Sequence, residues 1–183
     1  VVPISCNLSR PSFQDTSYLS ELLEIYRRYS IPQSLLELEL SEEIELGSEI
    51  SLLDYMKEIQ NLGFPCSLDD FGSGYSSLSL LSSLPVSIIK LDRCFFTQPL
   101  HEKNRIVLQE LLTITHRLGM KTVAEGVETQ EYIDFLKANG CDLVQGFYYC
   151  TPVPISEFEK LLIQQPFLDR QNETNKNSVA LEA

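Results

Sequence analysis

The sequence predicts an α/β fold built on a parallel sheet. Short strand-like runs and amphipathic helical patterns follow one another six times along the chain, and such alternation implies parallel strands joined by right-handed crossovers. The chain has 183 residues, of which 43% are hydrophobic, which is enough for one core but not comfortably for two. No apolar run is long enough to cross a membrane. We therefore expect one α/β domain.

The first half of the chain contains three predicted strand–helix units. Apolar residues at helical spacing indicate the helices, and Pro32, Gly63 and Pro85 end them. The predicted elements are a buried strand over 1–8 that ends at Asn7, a helix over 15–29, a strand over 35–40, a helix that includes Ile50, Leu53, Met56 and Ile59, a strand over 66–68 and a helix over 78–84.

The second half repeats the same order. A β-branched run predicts the fourth strand, and a capping-box pattern at Ser156 and Glu159 predicts the start of the last helix. The predicted elements are strands over 86–91, 122–124 and 143–144, and helices that cover 107–118, 130–138 and 156–163. We expect the domain to extend over 1–165, followed by a polar and mobile tail over 166–183.

Charge and cysteine content limit the classes of function. A formal net charge of −12 argues against a general surface for nucleic acid or anionic membranes. The five cysteines form no CxxC pair, which argues against structural zinc and a disulfide framework. We expect most of them to be buried, in a protein of the reducing cytoplasm. The chain begins without methionine or a signal peptide, so we expect a fragment or a processed chain.

Every predicted strand is followed by a polar residue. Because parallel strands place their carboxyl ends on one side of the sheet, these side chains are expected to converge. Most are of metal-binding types, and random loop residues would instead be dominated by Ser, Gly and Lys. The set consists of Asn7, Glu39, Asp69 with Asp70, Asp92, Glu125 and Gln145.

The most informative stretch runs from Ser67 to Ser77, with the sequence SLDDFGSGYSS. Two adjacent carboxylates follow the end of a strand and lead into a glycine-containing turn. Neighbouring carboxylates repel each other, and a cation between them would relieve that repulsion. The alternative is a polar surface turn, because Asp, Gly and Ser are common turn residues.

Oxygen ligands without His or Cys favour Mg²⁺ or Mn²⁺. Paired carboxylates can bridge two such ions, which would clamp a phosphodiester and activate a water. Lys90 lies two residues before Asp92, so both are expected on one face of a strand. Lys90 could orient the water or steady developing charge on phosphorus, and a purely structural ion pair within the acidic cluster is the alternative.

Other interpretations of the same residues are weaker. Residues 72–77 partly match GxGxxG, but the third glycine is replaced by Ser77, and two aspartates before the turn would repel a pyrophosphate. His101 and His116 are isolated and are expected on the surface or in a groove. Among the aromatic residues, Phe147 follows a strand end and could stack on a base.

Six motifs occur together in an order that resembles the EAL-type cyclic-di-GMP phosphodiesterases of bacteria. The motifs are Asn7-Leu8-Ser9, Glu39-Leu40-Ser41-Glu42, residues 69–77, Lys90-Leu91-Asp92-Arg93, residues 124–129 and Gln145-Gly146-Phe147. The resemblance covers about residues 2–163. It implies a (β/α)8 TIM-barrel-like fold with one antiparallel strand, and hydrolysis of cyclic di-GMP to linear pGpG with two divalent cations, Mg²⁺ or Mn²⁺.

The resemblance also implies a role for each matched residue. Lys90, Asp92 and Glu125 are the implied catalytic residues, and Asp69 is the implied bridge between two ions. The implied metal ligands are Asn7, Glu39, Asp69, Asp70 and Glu125. The implied substrate contacts are Gln145, Gly146 and Phe147. The implied loop that couples dimerisation to the metal site comprises Phe71, Gly72, Ser73 and Gly74, held by Glu42.

One feature of the family is missing from the sequence: no Glu-Ala-Leu stretch precedes Asn7. The barrel is therefore expected to be incomplete, with about six strand–helix units and open edge strands. We expect little or no turnover from these residues alone. The alternative function is a non-catalytic cyclic-di-GMP-binding or regulatory domain. A homodimer and a sensor or diguanylate-cyclase-type domain in the full protein are the expected partners.

Overall fold

The computed structural model describes residues 3–9, 12, 15, 17–41, 52–74 and 78–164. The chain divides into two compact units, residues 1–145 and residues 146–183. Glu42, Tyr75–Ser77 and the predicted tail over 166–183 lie outside the described residues. Among the helices of the described part, none is long and apolar enough to cross a membrane.

The first unit contains a six-stranded sheet in which every neighbouring pair is parallel. The strands lie in sequence order from β1 to β6, which is the order of a (β/α) barrel and confirms the predicted α/β class and incomplete barrel. The strands are β1 Ile4–Asn7, β2 Leu36–Ser41, β3 Cys66–Phe71, β4 Ile88–Leu91, β5 Lys121–Ala124 and β6 Leu143–Val144.

Helices connect the strands, close to the predicted positions. In the first unit they are α1 Tyr18–Tyr29, α2 Leu52–Asn61, α3 Leu78–Ser83, α4 Glu102–Arg117 and α5 Gln130–Ala138; α6, Ile155–Gln164, belongs to the second unit. The capping-box prediction for the last helix is wrong, because α6 begins at Ile155 and Ser156 lies inside its first turn.

The core lies on the helix-facing side of the sheet. Leu38, Leu68 and Ile89, one from each of three neighbouring strands, are fully buried there. Each such side chain contributes about 2 kcal/mol through removal of apolar surface from water. Because side chains alternate along a strand, the residues next to these leucines and isoleucines, such as Glu39 and Lys90, point to the opposite face of the sheet. The packed leucines therefore fix where the polar face lies.

Two expectations about burial are wrong. The strand β1 is exposed along its length, because it lies at the edge of the sheet and, among the described residues, pairs with β2 alone. Most cysteines were expected in the core, but only Cys66 is buried, whereas Cys6 and Cys94 are exposed and the other two are intermediate.

Candidate metal centre

The strand register brings the predicted polar residues to one edge of the sheet. Asn7 at the end of β1 is level with Glu39 on β2. Asp69 on β3 is level with Ser41, which also belongs to β2. Glu125 directly follows β5, and its backbone N–H donates to the carbonyl of Leu91 at 3.0 Å. The convergence of the strand ends that the sequence predicts is therefore present in the fold.

Lys90 lies at the centre of this edge. Its ammonium Nζ is 2.7 Å from Oε1 of Glu39, 3.1 Å from Oδ1 of Asp69 and 2.6 Å from Oε1 of Glu125. Lys90 and Glu39 are each only 5% exposed, and Asp69 is 9% exposed. We call Glu39, Asp69, Lys90 and Glu125 the acidic cluster. Both interpretations of Lys90 require this proximity, so the contact itself does not separate them.

Burial and the neighbouring charges shift the pKa values of Lys90 and Glu125. Burial by itself lowers the pKa of Lys90. The hydrogen bonds that the ammonium donates to Glu125 and Glu39, together with the negative charges of Glu125 and Asp69, outweigh this effect, so the pKa is raised above its ordinary value. Lys90 is therefore protonated at neutral pH and can orient or stabilise, but cannot accept a proton. Burial raises the pKa of Glu125, and the nearby Lys90 opposes that rise only in part.

A bulge in β3 changes where its two aspartates point. The strand continues through both residues to Phe71, beyond the end at Leu68 that the sequence predicts. The register to β4 shifts between Leu68 and Phe71, and Asp70 has a left-handed φ of 56°. Successive residues of a regular strand point to opposite faces, and a bulge interrupts that alternation. Carboxylate oxygens of Asp69, Asp70 and Glu125 lie within 4.8 Å of one another.

Asn7 adds an amide to this group of oxygens. In the structure the amide oxygen of Asn7 faces Oε2 of Glu39 and Oδ2 of Asp69. A half-turn of the amide would instead let its nitrogen donate to these two oxygens, at 3.0 Å and 3.3 Å. Carboxylate and amide oxygens, with no nitrogen or sulfur ligand among them, form the donor set of a hard divalent cation. The five predicted metal ligands therefore fit such an ion.

Asp92 lies one residue beyond the strand that carries Lys90, and a shared face for the two side chains stays a prediction. The strand β4 ends at Leu91, and Asp92, whose backbone is still extended, precedes a short 3₁₀ turn, Arg93–Phe95. Its carboxylate accepts a hydrogen bond from the backbone N–H of Cys94 at 2.8 Å. Such a cap satisfies a backbone donor at the start of the turn. A direct part for Asp92 in catalysis stays a prediction.

The loop after β3 begins with a tightly packed glycine. Phe71 is buried in the core, and Gly72 has a φ of +99°, which only glycine adopts without strain. The backbone N–H of Ser73 donates to the carbonyl of Asp70 at 3.0 Å, while Gly74 is exposed. Glu42, the predicted support of this loop, lies outside the described residues.

The predicted substrate contacts follow β6. Gln145 is exposed, but two hydrogen bonds fix its backbone. Its N–H donates to the carbonyl of Ala124 at 2.8 Å, and its carbonyl accepts from the N–H of Val127 at 3.2 Å. Gly146 and Phe147 belong to the second unit, where the ring of Phe147 is 63% exposed. An exposed ring can stack on a base, as the sequence suggests.

Sequence reasoning missed the residues that surround the ligands. The ring of Phe95 lies against Gly72, and Arg93 lies against Gly126, so the 3₁₀ turn contacts the chain beside both Asp70 and Glu125. A glycine one or two residues after a candidate ligand is the sequence signal that could have indicated a close backbone approach at both places.

Comparison with known proteins agrees with this site. The family model for the EAL domain matches residues 1–152. The cyclic di-GMP phosphodiesterase NbdA of Pseudomonas aeruginosa is 33% identical over 165 residues, which cover 88% of this chain and 20% of NbdA. The chain therefore spans about a fifth of the length of that relative.

Solved structures give the same result. The EAL domain of Mycobacterium smegmatis DcpA matches with a TM-score of 0.79 and 29% identity, over 88% of this chain and 73% of that domain. The PaMucR phosphodiesterase in complex with c-di-GMP matches with a TM-score of 0.76 and 32% identity, over 85% of this chain and 64% of the chain in that structure. With its strand order, its cluster of strand-end carboxylates and a family match over most of its length, this chain belongs to the EAL domain family.

Proposed function

We propose that this chain is the metal-dependent phosphodiesterase part of a protein that hydrolyses cyclic di-GMP to linear pGpG. The observation that carries the proposal is the placement of Lys90 among Glu39, Asp69 and Glu125, with Asp70 and Asn7 beside them. The names of NbdA and PaMucR, a phosphodiesterase relative and a c-di-GMP complex, support the substrate class.

The proposed cofactors are two divalent cations, Mg²⁺ or Mn²⁺. The residues that would hold them are Asn7, Glu39, Asp69, Asp70 and Glu125, with Asp69 as the bridge. When bound, such ions neutralise phosphate charge and make a water more acidic. An acidic protein with a net charge of −12 needs this neutralisation to accept a doubly charged dinucleotide.

In the proposed reaction, a water oxygen forms a bond to phosphorus while the bond from phosphorus to the ribose O3′ breaks. The water loses a proton and the departing O3′ gains one, which leaves a 5′-phosphate and a 3′-hydroxyl. Lys90, protonated because of its carboxylate neighbours, would orient the water and stabilise negative charge on the phosphoryl oxygens. Asp92 would act by holding the turn that follows Lys90.

Substrate contacts are proposed at the end of β6. Gln145 would donate or accept hydrogen bonds at the phosphodiester, and Phe147 would stack on a guanine through its exposed ring. We further propose a homodimer in which Glu42 and the loop from Phe71 to Gly74 couple the partner to the metal site, a cytoplasmic location, and a sensor or diguanylate-cyclase-type domain in the full protein.

The test is a titration of the full-length protein with cyclic di-GMP in Mn²⁺ and in Ca²⁺, with binding and pGpG formation measured together, because little or no turnover is expected from residues 1–183 alone. Formation of pGpG in Mn²⁺ and its loss in Asp69→Asn support the proposed enzyme. Binding without product in both metals identifies the alternative function, a cyclic-di-GMP-binding regulatory domain. Absence of binding in both metals would overturn both functions.

A further inference from the structure

We infer that the 3₁₀ turn Arg93–Phe95 is a spacer that sets the distance between the carboxylates at the ends of β3 and β5. In this inference Phe95 and Arg93 are positioning residues, and they act through the backbone that carries Asp69, Asp70 and Glu125. The inference rests on the proposed metal site for its functional meaning. The packing on which it depends, however, belongs to the protein without metal.

One side of the spacer contacts the end of β3. A Cβ atom added to Gly72 would lie 2.5 Å from Cζ of Phe95 and overlap the neighbouring ring carbon as well. The thiol of Cys94 donates to the carbonyl of Gly72 at 3.4 Å, and the N–H of Asp92 donates to the carbonyl of Phe71 at 3.1 Å. The turn is therefore in close contact with the segment that directly follows Asp70.

The other side of the spacer contacts the end of β5. A Cβ atom added to Gly126 would lie 2.5 Å from Cβ of Arg93 and 3.4 Å from its Cα. Gly126 directly follows Glu125 and has a φ of +66°. The turn thus touches Gly72, two residues after Asp70, and Gly126, directly after Glu125, and the two glycines permit the close approach.

Two side chains from the helices hold the spacer in place. The hydroxyl of Tyr132 on α5 donates toward the carbonyls of Phe95 at 3.1 Å and Gln98 at 2.8 Å. The side-chain nitrogen of Asn104 on α4 donates to the same Phe95 carbonyl at 2.9 Å and to the Tyr132 oxygen at 2.9 Å. Tyr132 is only 2% exposed, so these bonds are shielded from water and well suited to fix the turn.

The geometry of metal binding explains why such a spacer matters. Coordination distances must be met to within about 0.2 Å, and Asp69, Asp70 and Glu125 belong to strands separated by β4. The spacer packs between the ends of β3 and β5 and keeps the distance between them constant. A smaller side chain at Phe95 would let the end of β3 move toward the turn.

The chain offers a matched control on α5. Phe135 is 9% exposed and belongs neither to the spacer nor to the two side chains that hold it. Its replacement by leucine removes the same atoms from the core as Phe95→Leu removes from the spacer. Phe96 is unsuitable as a control, because its ring packs edge-to-face on Tyr132, with ring centroids 5.3 Å apart.

The experiment compares the wild type, Phe95→Leu and the control in two measurements. The first is amide hydrogen exchange of Asp92 and Glu125 without metal, and we expect exchange at least ten times faster in Phe95→Leu than in the control. The second is Mn²⁺ affinity with the Mn²⁺ paramagnetic resonance spectrum, and we expect at least tenfold weaker binding and an altered spectrum in Phe95→Leu, with a less than threefold change in the control.

The outcomes separate this inference from the proposed function. Equal exchange in Phe95→Leu and the control overturns the spacer, and so does Mn²⁺ affinity in Phe95→Leu within threefold of the wild type. Absence of Mn²⁺ binding in the wild type overturns the proposed metal site instead. In that event faster exchange in Phe95→Leu alone still establishes the spacer as a feature of the fold.

Discussion

Nζ of Lys90 lies 2.6 Å from Oε1 of Glu125, although the two residues come from neighbouring strands. The same ammonium also contacts Glu39 and Asp69. Three carboxylates and one ammonium give the acidic cluster a formal charge of −2, and its members are largely buried. A buried excess of negative charge is costly, so we expect a divalent cation to stabilise the folded protein.

Added Mn²⁺ should therefore raise the melting temperature. A ligand at one hundred times its dissociation constant stabilises by about 2.7 kcal/mol, which corresponds to a rise of roughly 5–10 °C for a chain of this size. Differential scanning calorimetry with and without Mn²⁺ measures the effect. Asp69→Asn should remove most of the rise, because it deletes the proposed bridging charge.

Asp134→Asn is the matched control for this experiment. Asp134 is exposed on α5, accepts a hydrogen bond from Gln130 at 2.7 Å and is not a member of the acidic cluster. It should keep the full response to Mn²⁺. An equal loss of response in both variants would mean that Mn²⁺ acts on overall charge and not at the acidic cluster.

Lys90→Met should destabilise the metal-free protein by about 3–5 kcal/mol. The substitution keeps the approximate length of the side chain but leaves buried carboxylates without their cation. Urea unfolding at neutral pH measures the loss. Protonation removes the repulsion between carboxylates that have lost their cation, so the stability deficit should be largest at neutral pH and shrink as the pH falls toward the ordinary carboxyl range.

Lys57→Met tests whether removal of any lysine charge from the protein lowers its stability as much as Lys90→Met does. Lys57 pairs with Asp54 at 3.7 Å, and both side chains are more than half exposed. An exposed pair of this kind contributes less than about 1 kcal/mol. If Lys57→Met and Lys90→Met lost similar amounts of stability, the buried cluster would not depend on its lysine.

The sequence predicted the strand ends well because their position follows from a simple rule. Apolar runs of period two or of continuous β-branched residues indicate where a strand lies, and parallel strands end on one side of a sheet. Glu39, Asp69, Lys90 and Glu125 could therefore be placed together from spacing alone. Their mutual contacts follow once the register is set.

The remaining features depend on tertiary contacts that no local pattern encodes. The bulge at Asp70 requires a register shift between two strands, and a non-glycine residue with a positive φ is uncommon. Asp92 leaves the strand because Cys94 supplies a backbone donor to it. The exposure of Cys94 and the packing of the Phe95 ring against Gly72 likewise depend on how the 3₁₀ turn Arg93–Phe95 folds back onto the end of β3.

Tyr132→Phe should lower stability by about 1–2 kcal/mol, because it removes the buried hydroxyl that donates toward the carbonyls of Phe95 and Gln98. Urea unfolding measures the change. Tyr29→Phe, at a ring that is 66% exposed, is the matched control and should change stability by less than about 0.5 kcal/mol. Equal effects would show that the Tyr132 hydroxyl does not anchor the loop.

The thiol of Cys66 should make the protein sensitive to alkaline pH. Burial, with a smaller contribution from the charge of Glu37, raises the pKa of Cys66 from 9.0 to about 12. Because the folded-state pKa is the higher one, the unfolded chain loses its thiol proton first as the pH rises. The stabilising contribution is complete below pH 9 and is lost progressively up to about pH 12, at about 1.4 kcal/mol per pH unit.

Cys66→Ala removes this contribution and should flatten the alkaline fall in stability. Urea unfolding between pH 8 and pH 10 measures the slope in the wild type and the variant, and their difference cancels the other groups that titrate in this range. Cys6→Ala is the matched control, because Cys6 is exposed and its loss should leave the slope unchanged. A slope in Cys66→Ala equal to that of the wild type would mean that the Cys66 thiol ionises as readily in the folded protein as in the unfolded chain.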